Sequence, residues 1–153
     1  MNPRIISLAA LALAMPLAAQ MPRPAPGPSL AQAQLGAAAA LKACKGVPIA
    51  VAVLDSGGGL KLGQTGDGAS AMFADFARRK AMTALKFSKP SAAVRDAAKG
   101  DPELARQLSS DPALIGFGGG VPFAGGAIAV AGAPSQDTDE RCARAGLAAM
   151  RIS

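Results

Sequence analysis

Proline at positions 22, 24, 26 and 28 sets the first boundary on what this chain can fold into. Each proline fixes φ near about −65° and lacks an N–H, so a segment with one at every second position stays out of helix interiors and central strands. Residues 20–29 therefore read as an extended, Pro-rich linker. Ahead of the linker, residues 1–19 carry one basic residue, Arg4, then an apolar run from Ile5 to Leu17 and the small residues Ala18 and Ala19. A membrane-spanning helix needs about 20 apolar residues, and this run is shorter. The pattern is that of a secretory signal peptide cut near Ala19 or Gln20, with an uncleaved anchor as the competing reading. The expected location is periplasmic or secreted, with no stable membrane span. Residues 30–153 are left to form a single domain.

The composition then removes whole classes of chemistry. The chain has no His, Tyr or Trp. Without imidazole there is no Ser-His-Asp or Cys-His engine, no His-containing zinc site and no His-ligated haem. Five Phe are the only aromatics, too few for a platform that stacks nucleic-acid bases. The net charge of +6 is spread as Lys and Arg among acids, with no basic run longer than Arg78-Arg79-Lys80. Mixed-charge solvated faces explain that pattern, and no nucleic-acid partner is expected. Cys44 and Cys142 make an even pair, which in an exported chain predicts a disulfide. Two buried free thiols are the other reading.

Along the domain, 30–45 is Ala-rich and reads as a helix stopped by Gly46. The apolar stretch 47–54 reads as a buried central strand. The turn Asp55-Ser-Gly-Gly-Gly59 and strand 60–65 complete a hairpin. A long helix is expected over 69–87, and shorter helices over 90–100 and 101–110. Strands follow at 113–117, 120–123 and 127–133, then a last helix reaching about Ile152, capped by Asp137 with Glu140 three residues on. The order is α-β-β-α-α-α-β-β-β-α. It predicts an α+β domain with an antiparallel sheet of about five strands, profilin-like in layout.

Few residues stand out chemically. Phe73, Phe76, Ala77, Lys80, Ala84 and Phe87 share one face of the long helix, so Lys80 sits on an apolar stripe. Such a lysine pairs with a carboxylate, snorkels, or serves a pocket; Asp55 is the first candidate partner. Gly118, Gly119 and Gly120 permit a sharp turn or a close approach. They match no phosphate-binding pattern, and a strand-to-strand turn is the simpler reading. Asp137, Asp139 and Glu140 are accounted for by capping and the helix dipole, and no metal site is assigned.

Five motifs in order carry a family resemblance: Val51-Ala-Val-Leu-Asp55 with its Gly turn; Asp67-Gly68; Ala77-Arg-Arg-Lys80-Ala-Met-Thr83-Ala84 with Phe87; Gly118-Gly-Gly-Val-Pro122; and Ile128-Ala-Val-Ala-Gly132 with Asp137 and Cys142. Together they resemble the GlcG/HbpS family of haem-binding proteins, which is similar to the C-terminal domain of PduO-type corrinoid adenosyltransferases. The resemblance implies haem or a related tetrapyrrole as ligand and a homo-oligomer, from dimer up to octamer. It implies ligand-binding positions at Lys80, Thr83, Phe87, Gly119, Gly120, Pro122 and Phe123, and no catalytic residue. With no His or Tyr, iron contacts would fall to Met72, Met82, Thr83, Lys80 or Cys, or be replaced by pocket and propionate contacts. The leading reading is an exported, non-catalytic haem-binding oligomer. The alternatives are an accessory subunit of a periplasmic redox system, and an enzyme using Lys80.

Overall fold

A computed structural model describes residues 26–152; the expected signal peptide and the first part of the Pro-rich linker lie outside the described residues. Helix α1 spans Leu30–Ala43, strands β1 and β2 span Ala50–Asp55 and Leu60–Thr65, and α2 spans Ala71–Phe87. Helices α3 (Ser91–Ala98) and α4 (Pro102–Ser110) lead into β3 (Gly120–Phe123) and β4 (Gly126–Ala131), and α5 (Gln136–Met150) ends the domain. The sheet runs β2-β1-β4-β3 with every neighbouring pair antiparallel. The α+β class holds, with four strands among the described residues where five were expected.

Alternation along the two central strands explains the layers. Val51 and Val53 pair across to Val130 and Ile128, and all four join Ala33, Ala37, Ala40, Cys142 and Met150 in a core under α1 and α5. The intervening residues Ala50, Ala52, Ala127, Ala129 and Ala131 face the other way, against Ala77, Ala81 and Ala84 of α2. Side chains in period two point to opposite faces, so β1 as far as Leu54 and β4 are apolar and buried on both sides. Alanine against alanine also seats α2 close to the sheet, since cores pack without voids.

On the opposite face, α1 and α5 cross at glycines. A Cβ on Gly36 would lie 2.5 Å from Met150 Cγ, and one on Gly146 would lie 2.7 Å from the Gly36 carbonyl. A disulfide joins Cys44, just past α1, to Cys142 on α5, with Cα atoms 5.9 Å apart. Two of the three leucines of α1, Leu30 and Leu35, are exposed; Ala33, Gly36, Ala37 and Ala40 face the core, with Leu41 packed at its edge.

The last residues of the Pro-alternating stretch are docked on the hairpin. The Ser56 N–H donates to the Pro26 carbonyl at 2.9 Å, and a Cβ on Gly27 would lie 2.6 Å from Asp55 Cβ. Ser29 then caps α1: its hydroxyl accepts from Gln32 N at 3.2 Å, and the Gln32 side chain accepts from Ser29 N at 2.9 Å. This capping box satisfies two of the helix's free N–H groups.

Two local expectations are corrected. Helix α5 is capped by Ser135, whose hydroxyl accepts from Thr138 N at 3.1 Å, and Asp137 lies inside the first turn. The stretch 113–117 forms no strand, because side chains occupy its backbone groups. Leu114 O accepts from Arg79, Ile115 exchanges two hydrogen bonds with the Thr83 hydroxyl, and Phe117 O accepts from Ser91. A segment whose carbonyls and amides are taken this way has none left for a sheet neighbour.

Replacing Cys44 and Cys142 together by Ala releases a loop with a sequence separation of 98. The expected loss is about 2–4 kcal/mol of unfolding free energy. Urea denaturation reads this directly, and an unmoved midpoint would show that the bond does not constrain the unfolded chain.

Candidate functional site

Lys80 lies on the sheet side of α2, between the buried Ala77, Ala81 and Ala84, and is itself 3% exposed. Its ammonium donates to Asp139 Oδ2 at 2.7 Å and to the Val130 carbonyl at 3.2 Å. Asp139 belongs to α5, which packs on the other face of the sheet, so the pair links the two helical layers. The other Asp139 oxygen accepts from Ala133 N at 3.0 Å and fixes the turn leaving β4. Burial pushes the Lys80 ammonium below its ordinary range and the Asp139 carboxyl above its own, while their mutual hydrogen bond opposes both shifts.

The expected partner, Asp55, is elsewhere. Its Oδ1 accepts from Gly57 N at 3.0 Å and Gly59 N at 2.9 Å, closing its own hairpin turn. The reading of Asp139 as a dipole residue is likewise corrected. Asp139, Cys142, Ala143, Gly146 and Met150 form the buried stripe of α5 at positions i, i+3, i+4, i+7 and i+11. That helical spacing is the sequence signal that marks Asp139 as an inward-facing acid.

Gly119 and Gly120 make room for the ion pair. A Cβ at Gly119, where φ is 120°, would lie 2.5 Å from Val130 O, 2.8 Å from Asp139 Cβ and 3.2 Å from Lys80 Nζ. One at Gly120 would run into the Lys80 carbonyl and lie 3.0 Å from Ser91 Oγ. The glycine cluster is thus a seat where α2 and the start of β3 touch backbone to backbone. Further side chains hold the loop that enters it. Gly118 N donates to Gln136 Oε1 at 2.7 Å, which also accepts from Arg95, and Gly120 N donates to Ser91 Oγ at 2.9 Å.

Six of the seven expected binding positions separate into two places, and Phe87 belongs to neither. Lys80, Thr83, Gly119 and Gly120 form the interior seat, with the polar atoms of Lys80 and Thr83 held by protein groups. Pro122 and Phe123, at the far end of β3, line an open groove of about 350 Å³ together with Leu85, Ser88, Ala124 and Gly126. Phe87 is half-buried at the end of α2, with Lys86 Nζ 5.9 Å from its ring centre, and does not line the groove. Gly126 pairs with Phe123 across the strands, and a Cβ there would lie 2.8 Å from the Phe123 ring. The bare glycine gives the ring a place to lie. Sequence reading did not single out Leu85, Ser88, Ala124 or Gly126, and no residue type among them signals chemistry.

Comparison with known proteins decides the family. The family described as haem degrading protein HbpS-like matches residues 29–148. The chain belongs to this HbpS-like family. A double mutant of HbpS from Streptomyces reticuli is 32% identical, with a TM-score of 0.74, over 92% of this chain and 97% of that one. The ORFY protein of Klebsiella pneumoniae is 28% identical, with a TM-score of 0.74, over 82% of this chain and 92% of that one. A PduOC:heme complex shares the fold at 22% identity, with a TM-score of 0.72, over 83% of this chain and 97% of that one. Comparison with curated protein sequences gave no match.

The seat has a thermodynamic signature. Lys80→Met leaves Asp139 buried without its cation, at an expected loss of about 3–5 kcal/mol. Adding Asp139→Leu recovers most of that loss, because replacing both partners removes the uncompensated charge. In the single variant the Asp139 folded pKa stays raised above its unfolded value. The protonated form then stabilises fully below the unfolded value, and that contribution is lost as pH rises through the folded one. The deficit of Lys80→Met should be smaller at pH 4 than at pH 7 in urea titrations. An equal deficit at both would mean that Asp139 escapes to water.

Proposed function

We propose that this protein is an exported, non-catalytic binder of haem or a related tetrapyrrole, acting as a homo-oligomer, with the macrocycle resting on the groove at Leu85, Pro122 and Phe123. The observation that carries this reading is membership of the HbpS-like family across residues 29–148. The groove suits one face of such a ligand. Leu85, Pro122, Phe123 and Ala124 present apolar surface to a flat hydrophobic ring, and Ser88 adds a hydroxyl at the rim. In this assignment Lys80, Thr83, Gly119 and Gly120 support the strand that carries Pro122 and Phe123. Phe87, outside the groove, is given no contact with the ligand.

The residues fit the ring better than the iron. No imidazole or phenol exists in the chain, and the Lys80 ammonium and Thr83 hydroxyl already have partners. Met72 lies at the start of α2, away from the groove. Met82 packs beside Leu85 over the Gly58 turn and is the thioether at the correct end of the helix. Binding therefore draws mainly on apolar contact, with exposed Lys89 beside Ser88 available to a propionate.

Export is supported by the signal-like residues 1–19 and by the disulfide, which persists in oxidising compartments. Among the described residues no helix is long and apolar enough to cross a membrane. Breakdown of the bound ring is a second reading, favoured by the family's description as haem degrading. A redox-accessory role remains the alternative if no tetrapyrrole binds.

Haemin titration tests these together. A saturable, shifted Soret band is expected, weakened about tenfold by Phe123→Ala, which corresponds to about 1.4 kcal/mol. A band no stronger than that of an unrelated basic protein overturns the binding reading. A band that forms and then bleaches replaces binding with breakdown. Sedimentation as a monomer overturns the oligomer.

A further inference from the structure

We infer that α2 is a contact between copies of this chain, packed antiparallel on itself about a two-fold axis at Ala77. This rests on the homo-oligomer proposed above and names one of its interfaces. The sheet side of α2 is the buried stripe Ala77, Lys80, Ala81, Thr83 and Ala84. On the opposite side stand Met72, Asp75, Arg79 and Met82, at positions i, i+3, i+7 and i+10. That is the spacing of a seam by which one helix faces another. The seam is open toward solvent: Met72 and the Asp75 side chain are each 55% exposed, and Arg79 and Met82 are half-buried at its edges.

The order of these residues selects the partner. Met72 and Met82 lie five positions either side of Ala77, and Asp75 and Arg79 lie two positions either side. A two-fold axis there sets Met72 against Met82 of the second copy and Asp75 against its Arg79, each twice over. A contact of this symmetry uses one surface on both copies, so that surface has to complement itself. Antiparallel pairing brings thioether to thioether and acid to base. Parallel pairing would set Asp75 on Asp75 and Arg79 on Arg79. The pair that Asp75 and Arg79 form within their own helix is loose at 3.6 Å, and a carboxylate accepts from more than one donor. From Met72 to Met82 the seam runs about 15 Å. Phe76 and the exposed Phe117, in edge-to-face contact at 6.1 Å, border it on one side and widen the apolar area. The two-fold brings that flank against its own counterpart.

The test is the mass of the full exported chain by sedimentation. Asp75→Arg sets arginine against arginine at both crossings, and Arg79→Glu sets acid against acid. Each variant alone should weaken the contact by roughly 10- to 100-fold. An equal mixture of the two should restore the native mass, because every crossing then joins opposite charges again. Met72→Lys, at an exposed position, repeats the loss without touching the bond from Arg79 to the Leu114 carbonyl. A chain that sediments as a monomer before any substitution overturns the homo-oligomer and this contact with it. A native oligomer unmoved by Asp75→Arg and by Met72→Lys overturns the α2 contact and leaves the homo-oligomer standing. Loss in both charge variants with no recovery in their mixture overturns the antiparallel pairing.

Discussion

The contact between Lys80 and Asp139 ties the two sides of this molecule together. One partner belongs to the helix over the alanine face of the sheet and the other to a helix over the valine and isoleucine face. The ammonium also reaches the Val130 carbonyl on β4, so strand and both layers meet at one buried charge. Burying such a pair costs desolvation that its attraction only partly offsets, so its value lies less in stability than in fixing geometry. Here the geometry fixed is the start of β3. With glycine at 119 and 120 the strand enters against the backbone of α2 at a single register, and Pro122 and Phe123 follow at set positions.

That arrangement also explains why the loop before β3 is held so heavily by side chains. Thr83, Ser91, Gln136 and Arg79 come from three helices and satisfy backbone groups between Leu114 and Gly120. A segment lacking a strand partner must find other partners for its amides and carbonyls. Phe117 meanwhile stays 44% exposed and makes an edge-to-face contact with Phe76 at 6.1 Å. The loop is thus ordered by these hydrogen bonds together with burial of Leu114 at its start, while Phe117 contributes little burial.

The distinction marks where sequence reading succeeds. Strands β1 and β4 are legible because continuous apolar runs between turn residues leave few alternatives. Helix α2 is legible from its single apolar face, which already placed Lys80 inward. Its partner was not, since the choice between Asp55 and Asp139 depends on which turn closes on itself, and Asp55 is consumed by Gly57 and Gly59. The apolar stretch 113–117 reads as a strand because the hydroxyls that claim its backbone lie 26 and 32 residues away. The groove was half legible. Pro122 and Phe123 stand in a recognisable motif, whereas Leu85, Ser88 and Ala124 become neighbours only through the fold.

The missing imidazole acquires a structural meaning once the seat is seen. Lys80 and Thr83, the polar residues best placed by motif to touch an iron, are both spent inside the protein. What faces the groove is hydrocarbon, one hydroxyl and a nearby thioether. On the proposed reading a flat apolar ligand is held there by area, since hydrophobic contact has little directional preference.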